Sequence, residues 1–408
     1  MNKIILFVDD EQEILDALRR MLHPLSDRWD MVFESNGQHA LDLMAENSFD
    51  VIVSDMQMPG MNGAKLLSKV REWYPQVIRI ILTGRSDTAL IPQVLTIVHQ
   101  FLGKPVESKR LISTVTQVST LKDLLKNDTL SEVILRMEAL PSHPTLYAEL
   151  RDELQTPKPS TDRVGDIISR DMGLTLRVLQ LLNSGYVALD QSALEPRQAV
   201  NIIGINTIKD IADSAAVLPE DSRYLFAIPP LRDLWEHSLR SGQLAKEMVK
   251  TENLSQEVAA EVYLAAFLHD IGKIVLAVHF PEEYAIMLSL ANEHIMTHIS
   301  AERQLFGSTI TSAGAFLLGL WGMPNSIVLP VARHHEPHRC QDRHLMVPTA
   351  IVHTANIFEH AAKTGDWGYV EDHLDMEFLD KLNLKECLPI WWEASKSFIN
   401  SEVTDDVR

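Results

Sequence analysis

The sequence predicts two folded parts, an α/β domain with a doubly wound, five-stranded parallel sheet, followed by an all-α helical domain. Up to Pro105, short apolar runs alternate with longer amphipathic stretches, which is the pattern of β–α units. From Leu130 onward strand patterns nearly vanish, and apolar residues recur every three or four positions, as they do in helices. A length of 408 residues leaves room for two or three such domains.

Five apolar runs are the predicted strands. They are Ile4–Val8, Met31–Phe33, Val51–Val53, Val77–Leu82 and His99–Leu102. Between them, segments such as Glu11–Leu22 and Gly63–Trp73 have the apolar spacing of helices. Because the carboxyl ends of parallel strands lie along one edge of a sheet, residues that follow different strands can share one pocket there.

The segment from Glu107 to Lys126 contains no Gly or Pro and repeats apolar residues at helical spacing. One interpretation is a signalling helix that leaves the first domain and pairs with a second copy, which would make a homodimer. The other is a last helix that packs on its own sheet, which we favour for the first half of the segment. Both interpretations stay open for the second half. We expect domains at 1–122 and 136–340, a linker helix at 123–135, and a helical extension at 341–408 that completes the second domain.

Composition narrows the functional class. The chain has 37 basic and 56 acidic residues, a net charge of −19, and therefore repels the phosphate backbone of nucleic acids. Cys340 and Cys387 do not have zinc-type spacing, which fits a reducing cytoplasm. No apolar run approaches the ~18 residues of a membrane helix, and acids come too early for a secretory signal. We expect a cytoplasmic protein with no nucleic-acid or membrane partner.

Polar residues with complementary chemistry end the predicted strands. Asp9 and Asp10 follow the first strand, Asp55 follows the third, Thr83 ends the fourth and Lys104 follows the fifth. Several carboxylates would repel one another unless a hard cation such as Mg²⁺ lay among them. One carboxylate could then attack a phosphoryl group and form an aspartyl phosphate. A hydroxyl and an ammonium opposite it would bind the transferred oxygens.

The stretches VDDE (8–11), DMQMPGMNG (55–63), LTG (82–84) and FLGKP (101–105) resemble the receiver domain of bacterial response regulators. The resemblance implies that Asp55 is the phosphoacceptor and that a sensor histidine kinase supplies the phosphoryl group. It also implies that Asp9, Asp10 and Asp55 bind Mg²⁺, together with the backbone carbonyl of Gln57.

Three further roles come from the same resemblance. Thr83 would be the switch hydroxyl, and Lys104 would bind the phosphate. Phe101 stands where the family often has a switching Tyr, so an aromatic rotamer change would lack the hydroxyl hydrogen bond. The opposing interpretation, a receiver-like fold that has lost phosphorylation, is disfavoured because every polar member is present.

The helical part contains a possible metal cluster. The stretch FLHDIGKIVL places His269 beside Asp270, and such a pair can bind the same metal ions. His237 lies upstream, and His334 and His335 lie downstream. Together these residues look like the HD superfamily of metal-dependent phosphohydrolases.

Longer stretches of this part resemble HDOD domains, a branch related to the HD-GYP domains that cleave cyclic-di-GMP. They are LPSHPTLYAEL, IISRDMGLTLRVLQLLNSGY, PRQAVNIIGINTIKDIA and ERQLFGSTITSAGAFLLGLWGMPNSIVLPVARHHEP. Ile310 stands where active relatives have a ligand His, and Asn356 stands where they have a ligand Asp. No DGxGYP stretch follows the double His. A dinuclear site would therefore lose one ligand and one negative charge.

Two functions follow from these resemblances. The preferred one is a response regulator whose non-catalytic HDOD domain contacts a downstream protein in cyclic-di-GMP signalling, either an HD-GYP, GGDEF or EAL enzyme or a kinase. The alternative is a metal-dependent cyclic-di-GMP phosphodiesterase with a reduced site, favoured by the HD pair, Lys273 and the double His. The cluster itself either retains one divalent metal ion or consists of buried polar residues that hydrogen bonds satisfy.

Overall fold

The computed structural model describes residues 2–84, 94–121, 125, 127–183, 195–214, 231, 233–252, 254–293 and 295–405. Two compact units make up the chain. The first unit comprises residues 1–169, 173–217 and 319–323. The second unit comprises residues 170–172, 218–318 and 324–408.

The first unit begins with the predicted parallel sheet, whose strands are β1 (Lys3–Val8), β2 (Trp29–Glu34), β3 (Val51–Asp55), β4 (Ile78–Thr83) and β5 (Gln100–Gly103). Their order in the sheet is β2-β1-β3-β4-β5. The helices described between and after them are α1 (Gln12–Leu22), α2 (Gly37–Glu46), α3 (Gly63–Trp73) and α4 (Ser108–Leu121). Strands β3 and β4 are buried along their whole length, as expected for a parallel sheet that is covered on both faces. The α/β prediction is confirmed.

Helix α4 decides the first half of the segment that follows the sheet. Its apolar residues Leu111, Val115 and Val118 are fully buried, so this half is a packed helix. Residues 122–124 and 126 lie outside the described part of the chain. A separate helix then begins at Asp128, because the side chain of Asn127 accepts the backbone N–H of Leu130 and caps it.

Helices complete the first unit. They are α5 (Asp128–Arg136), α6 (Pro144–Gln155), α7 (Thr161–Ser169), α8 (Met172–Asn183), α9 (Pro196–Ile203) and α10 (Ile205–Ser214). The short segment 319–323 also belongs to this unit.

The second unit is built from helices, which confirms the all-α prediction. They are α11 (Leu234–Thr251), α12 (Gln256–Leu268), α13 (Ile271–His279), α14 (Pro281–Asn292), α15 (His298–Phe306), α16 (Ile310–Leu320), α17 (Asn325–Arg333), α18 (Met346–Thr364), α19 (Trp367–His373), α20 (Met376–Lys381) and α21 (Leu388–Asp405).

One helical stretch reaches membrane-spanning length, contrary to the expectation that no apolar run is long enough. Residues Gln256–His279 are long and apolar enough to cross a membrane, by length and composition only. Within this stretch, 78% of the apolar window is buried inside the structure, as in the core helices of a folded domain. Helices α12 and α13, which form the stretch, carry the HD pair between them.

Candidate functional site

The carboxyl edge of the sheet brings together the predicted phosphoacceptor residues. The ammonium of Lys104 lies 2.8 Å from Asp9 Oδ2 and 2.6 Å from Asp55 Oδ1. Thr83 ends β4 and is buried. The strand register places it at the same edge, because Leu82 pairs with Asp55 and Thr83 pairs with Gly103, the residue before Lys104. Asp10 is exposed.

Backbone donors orient the two buried carboxylates. The N–H of Gln57 donates to Asp55 Oδ2 at 2.9 Å, and the N–H of Glu11 donates to Asp9 Oδ1 at 3.0 Å. The start of α3 approaches the same place, because a Cβ on Gly63 would lie 2.0 Å from the carbonyl oxygen of Asp55. Glycine at this position is therefore required by the packing of helix against strand end.

One cation, Lys104, lies between the two buried carboxylates at this edge and offsets part of their charge. Burial raises the pKa of Asp55, and the hydrogen bond and positive charge of Lys104 oppose that rise. For Lys104, burial alone would lower the pKa, but the hydrogen bonds and charges of Asp55 and Asp9 raise it. The pocket thus holds an ammonium against the buried carboxylate of Asp55. Phosphoryl transfer needs this pairing of charges.

The β4–β5 side of the sheet is covered by helices of the same unit, in what we call the junction. We define the junction by Arg79, His99, Gln100, Gln117, Arg177 and Gln180.

Two buried arginines carry much of the junction. Arg79, on β4, donates to Ile97 O at 2.7 Å and to Leu135 O of α5 at 3.0 Å. Arg177, on α8, donates to Leu95 O at 2.9 Å and also to the carbonyl oxygen of Glu138. Burial lowers the pKa of Arg79 to about 9 and the pKa of Arg177 to about 10. Both arginines stay charged at neutral pH, although these hydrogen bonds go to neutral carbonyl oxygens, which stabilise a buried charge less than carboxylates do.

Glutamines complete the junction. Gln180 of α8 donates to His99 O at 2.9 Å, and Gln100 of β5 donates to Gly319 O at 2.9 Å. Phe101, the predicted switch aromatic, follows Gln100 in the sequence and is buried. It lines a polar cavity together with Gln180 and Trp321. These contacts could not be predicted from the sequence, since Gln180 and His99 are 81 positions apart.

In the second unit the predicted histidines form one cluster. His237 comes from α11, His269 and Asp270 lie between α12 and α13, and His334 follows α17. His237 Nε2 lies 3.2 Å from His269 Nε2, and Asp270 Oδ2 lies 3.3 Å from His269 Nε2. Asp270 also has ligand atoms within 4.8 Å of those of His334 and His335. All five predicted residues are therefore brought together.

Hydrogen bonds fix which nitrogen of each ring carries the proton. His237 Nδ1 faces Glu359 Oε2 at 2.5 Å, His269 Nδ1 faces Ala266 O at 2.6 Å, and His334 Nδ1 faces Val331 O at 2.8 Å. Because these partners only accept, the proton sits on each Nδ1. In the neutral rings each Nε2 is then a lone pair.

Two such lone pairs, on His237 and His269, face each other at 3.2 Å. Without a proton or a cation between them they would repel. A tetrahedral metal ion at ~2.1 Å from each of two imidazole nitrogens would hold those nitrogens about 3.4 Å apart. The spacing therefore fits two ligands of one ion.

Two buried polar atoms of the same cluster also favour a bound metal ion. His334 Nε2 and Asp270 Oδ1 are buried and have no hydrogen-bond partner among the described residues. Buried acceptors without partners are costly, and a metal ion would satisfy both. The donor set of imidazoles and a carboxylate suits Zn, Mn, Fe or Ni. The residues present thus fit one divalent ion.

Two members of the cluster were missed by sequence reasoning. Glu359 and His360 of α18 group with His237, and the His360 ring stacks on the His237 ring at 4.5 Å. A signal was available, because Glu359 and His360 follow Asn356 by three and four positions and so share its helix face.

The two departures from the active pattern are both buried. Ile310 contributes its backbone, with its N–H on Glu302 Oε2 at 2.9 Å and its carbonyl against Gly272. Asn356 is buried in α18. Neither belongs to the groups of candidate ligands among the described residues.

Family models match both parts of the chain. The model described as a response regulator receiver domain matches residues 5–116, and the model described as an HDOD domain matches residues 140–337. Both matches agree with the resemblances found in the sequence.

Individual relatives cover parts of the chain. An uncharacterized protein of Treponema pallidum is 24% identical over 60% of this chain and 47% of its own length. The hydrogenase transcriptional regulatory protein HoxA of Cupriavidus necator is 35% identical over 28% of this chain and 23% of its own length. The chain thus matches less than half the length of these two curated relatives. A solved signal receiver domain of an HD domain-containing protein from Pseudomonas fluorescens Pf-5 is 31% identical, with 29% of this chain and 94% of that chain covered and a TM-score of 0.28.

Proposed function

We propose that the chain is a response regulator, in which a receiver domain is followed by an HDOD domain, and that phosphorylation of Asp55 controls contacts of the HDOD domain with a downstream protein. A receiver domain implies phosphotransfer from a histidine kinase and a divalent metal site. We propose that Asp9, Asp10, Asp55 and the backbone carbonyl of Gln57 bind Mg²⁺. We also propose that the protein is cytoplasmic. The downstream partner would be a cyclic-di-GMP enzyme or a kinase.

One observation carries the first step of this proposal. Lys104 lies within hydrogen-bond distance of both Asp9 and Asp55, at the edge where Thr83 ends its strand. A Mg²⁺ ion bound there would offset the negative charge of the incoming phosphoryl group. Asp55 Oδ attacks the phosphorus, and the bond from phosphorus to the donor histidine nitrogen breaks. The ammonium of Lys104 then pairs with a phosphoryl oxygen.

The junction supports the second step. A phosphoryl group on Asp55 would draw Thr83 and Lys104 toward it, and β4 and β5 carry this change to Phe101 and Gln100. Gln100 bonds Gly319 O directly, and its neighbour His99 accepts from Gln180. We propose that phosphorylation loosens the junction and frees surface of the HDOD domain for its partner.

The test is a labelling experiment with a structural readout. Asp55→Asn should abolish labelling of the full chain by acetyl phosphate or a kinase, while the exposed Asp16→Asn should leave labelling unchanged. Hydrogen exchange should rise at residues 94–103 and in α8 of the labelled wild type only. Persistent labelling of Asp55→Asn would show that the acceptor is misassigned, and unchanged exchange would remove the junction from the mechanism.

The histidine cluster supports a second candidate function. We propose that His237, His269, Asp270 and His334 bind one divalent ion, because their free ring nitrogens converge. Such an ion can polarise a phosphate or lower the pKa of a bound water, so a cyclic-di-GMP phosphodiesterase remains the alternative output.

A single comparison separates the two outputs. Purified protein should contain about one metal ion at the cluster by elemental analysis, and should not turn over cyclic-di-GMP. Robust hydrolysis that Asp270→Ala abolishes would establish the phosphodiesterase instead. If the chain stays free of metal after incubation with divalent metal ions, the cluster is a set of buried polar residues without a metal-binding role.

A further inference from the structure

A buried carboxylate stands behind the first histidine of the cluster. Glu359, on α18, is fully buried, and its Oε2 lies 2.5 Å from His237 Nδ1. Its other oxygen, Oε1, lies 2.9 Å from Arg240 Nε and 2.8 Å from Lys363 Nζ. Both oxygens of this carboxylate therefore have defined and different partners.

The two cations explain how a carboxylate is kept ionised in this place. The ammonium of Lys363, one helical turn further along α18, donates to Oε1 and favours the ionised form of the carboxylate. Arg240 adds a further charged donor on the same oxygen as Lys363. The carboxylate has one oxygen held by two cations and one oxygen free to accept from the histidine.

An ionised carboxylate can only accept hydrogen bonds, and this fixes the state of the imidazole ring. The proton of neutral His237 must lie on Nδ1, and the lone pair must lie on Nε2, which faces His269 at 3.2 Å. The contact also fixes the rotation of the ring. A partner of this kind behind a metal-binding histidine orients the ring and makes its free nitrogen a better electron donor.

We propose that Glu359 is the positioning residue of the cluster, which presents His237 Nε2 to a divalent transition-metal ion and raises its affinity. The inference rests on the metal site proposed above. Glu359 does not itself bind the ion, since its accepting oxygen is occupied by the Nδ1 proton. It acts through His237.

The competing arrangement uses the same residues differently. Glu359, His237 and His360 also have potential ligand atoms within 4.8 Å of one another. An ion bound there would take the Nδ1 side of His237 and displace its proton. The two arrangements therefore differ in which ring nitrogen keeps a hydrogen when metal is added.

The experiment measures metal affinity and ring protonation in the full chain. Zn²⁺ binding, by competition with a chelator, should weaken ~10–100-fold in Glu359→Gln, the range seen for such partners of ligand histidines. Glu236→Gln is the matched control, because Glu236 contacts Arg240 from the exposed side at 3.2 Å and should change affinity less than about twofold. Wild-type affinity in Glu359→Gln would overturn the proposal.

The second readout is the nitrogen-15 NMR spectrum of the His237 ring, assigned by His237→Asn. Metal-free wild type should show the proton on Nδ1, and Zn²⁺ should shift the Nε2 signal while Nδ1 keeps its proton. A proton on Nε2 in the metal-free chain, or loss of the Nδ1 proton on Zn²⁺ addition, would overturn the proposal even if Glu359→Gln does not fold. A wild type that binds no Zn²⁺ but holds the Nδ1 proton refutes the metal site, and with it the raised affinity, while leaving the Glu359–His237 contact intact.

Discussion

Lys104 and Lys273 do similar electrostatic work in two different places. Lys104 lies between Asp9 and Asp55, and Lys273 Nζ lies 2.5 Å from Asp270 Oδ2. Burial would raise the pKa of Asp270, yet the positive charge of Lys273 holds it well below its ordinary value. At Asp55 burial does raise the pKa, and Lys104 opposes that rise. In both sites one ammonium favours the ionised form of a buried carboxylate, the form that a metal ion or a phosphoryl group requires.

Lys104 gives the first prediction. Lys104→Met removes the cation that lies 2.6 Å from Asp55, so the pKa of Asp55 should rise further and the phosphoryl oxygens should lose a partner. Labelling by acetyl phosphate at pH 7 should slow by ~100-fold, as when one charge-stabilising donor is removed from an active site. Lys65→Met, at an exposed lysine of the same domain, is the control and should label normally. A Lys104→Met rate within threefold of wild type would contradict the assigned role.

Glu302 gives a prediction about pH. Burial raises its pKa from 4.5 to about 7, opposed by the N–H of Ile310. The folded state therefore holds this proton more tightly than the unfolded chain. Its contribution to stability is complete below pH 4.5 and is lost as the pH rises through about 7.

Between pH 5 and 8, the free energy of unfolding of wild type should fall by roughly 2–3 kcal/mol more than that of Glu302→Gln. Urea unfolding in the presence of a chelator measures this, so that metal binding does not interfere. Equal pH dependence in the two proteins would mean that Glu302 is ionised in the folded state at pH 5.

Single residues also show how far the sequence could predict the sites. Asp9, Asp55 and Lys104 could be found because a parallel sheet places its strand ends along one edge, whatever their distance in sequence. Glu359 could not be found in this way. It lies 122 positions from His237, and only the packing of α18 on α11 brings the two together. The spacing from Asn356 marks the helix face on which Glu359 lies, but no local pattern shows that this face meets His237.

At the level of elements, the HD pair depends on how closely two helices cross. A Cβ on Gly272 of α13 would lie 2.0 Å from the carbonyl oxygen of Ile310, where α16 begins. On the other helix, a Cβ on Gly314 would lie 3.2 Å from its nearest neighbours. At this crossing, Gly272, two residues after Asp270, leaves no room for a side chain, whereas Gly314 leaves room for a methyl group in mild contact with its neighbours.

This asymmetry predicts a difference between two alanine variants. Gly272→Ala should lower the free energy of unfolding by about 1–3 kcal/mol, because the helices must move apart. Gly314→Ala should be close to neutral, since the helix propensity of alanine, worth ~1 kcal/mol, offsets a mild contact. Thermal unfolding followed by circular dichroism compares them. Equal melting temperatures would mean that the helices separate at no cost.

Elements were predicted from the sequence to within a few residues where periodicity was strong. All five strands occupy the predicted apolar runs, and α3 matches Gly63–Trp73. The segment after α4 was harder, because a continuous helical pattern there has no Gly or Pro to end it. The cap that starts α5 at Asn127 is a local hydrogen bond that competes with helix continuation, and residue types alone do not decide between them.

At the scale of the whole molecule, the junction is the feature through which we propose that the receiver domain controls the HDOD domain. Arg177 is buried, and its Nε has no hydrogen-bond partner among the described residues. Its other nitrogens bond carbonyl oxygens and Gln180 Oε1. A guanidinium held by neutral acceptors gains hydration when it is exposed, which offsets part of the cost of opening. The junction is therefore suited to two states that differ by little free energy.

Arg177→Met tests this directly in the unmodified chain. The variant keeps apolar length but leaves the buried carbonyl oxygens of Leu95 and Glu138 without these donors. This loss outweighs the hydration that the guanidinium gains on exposure, so opening should become easier by roughly 2 kcal/mol or more. Hydrogen exchange at residues 94–103 and in α8 should rise ~30-fold without phosphorylation, since about 1.4 kcal/mol corresponds to a factor of ten. Because the restrained state of the receiver would be less populated, acetyl phosphate should also label Asp55 faster. Arg163→Met, at an exposed arginine of α7, should change neither quantity. Faster exchange without faster labelling would show that the junction holds the two domains together but does not communicate with the phosphoacceptor.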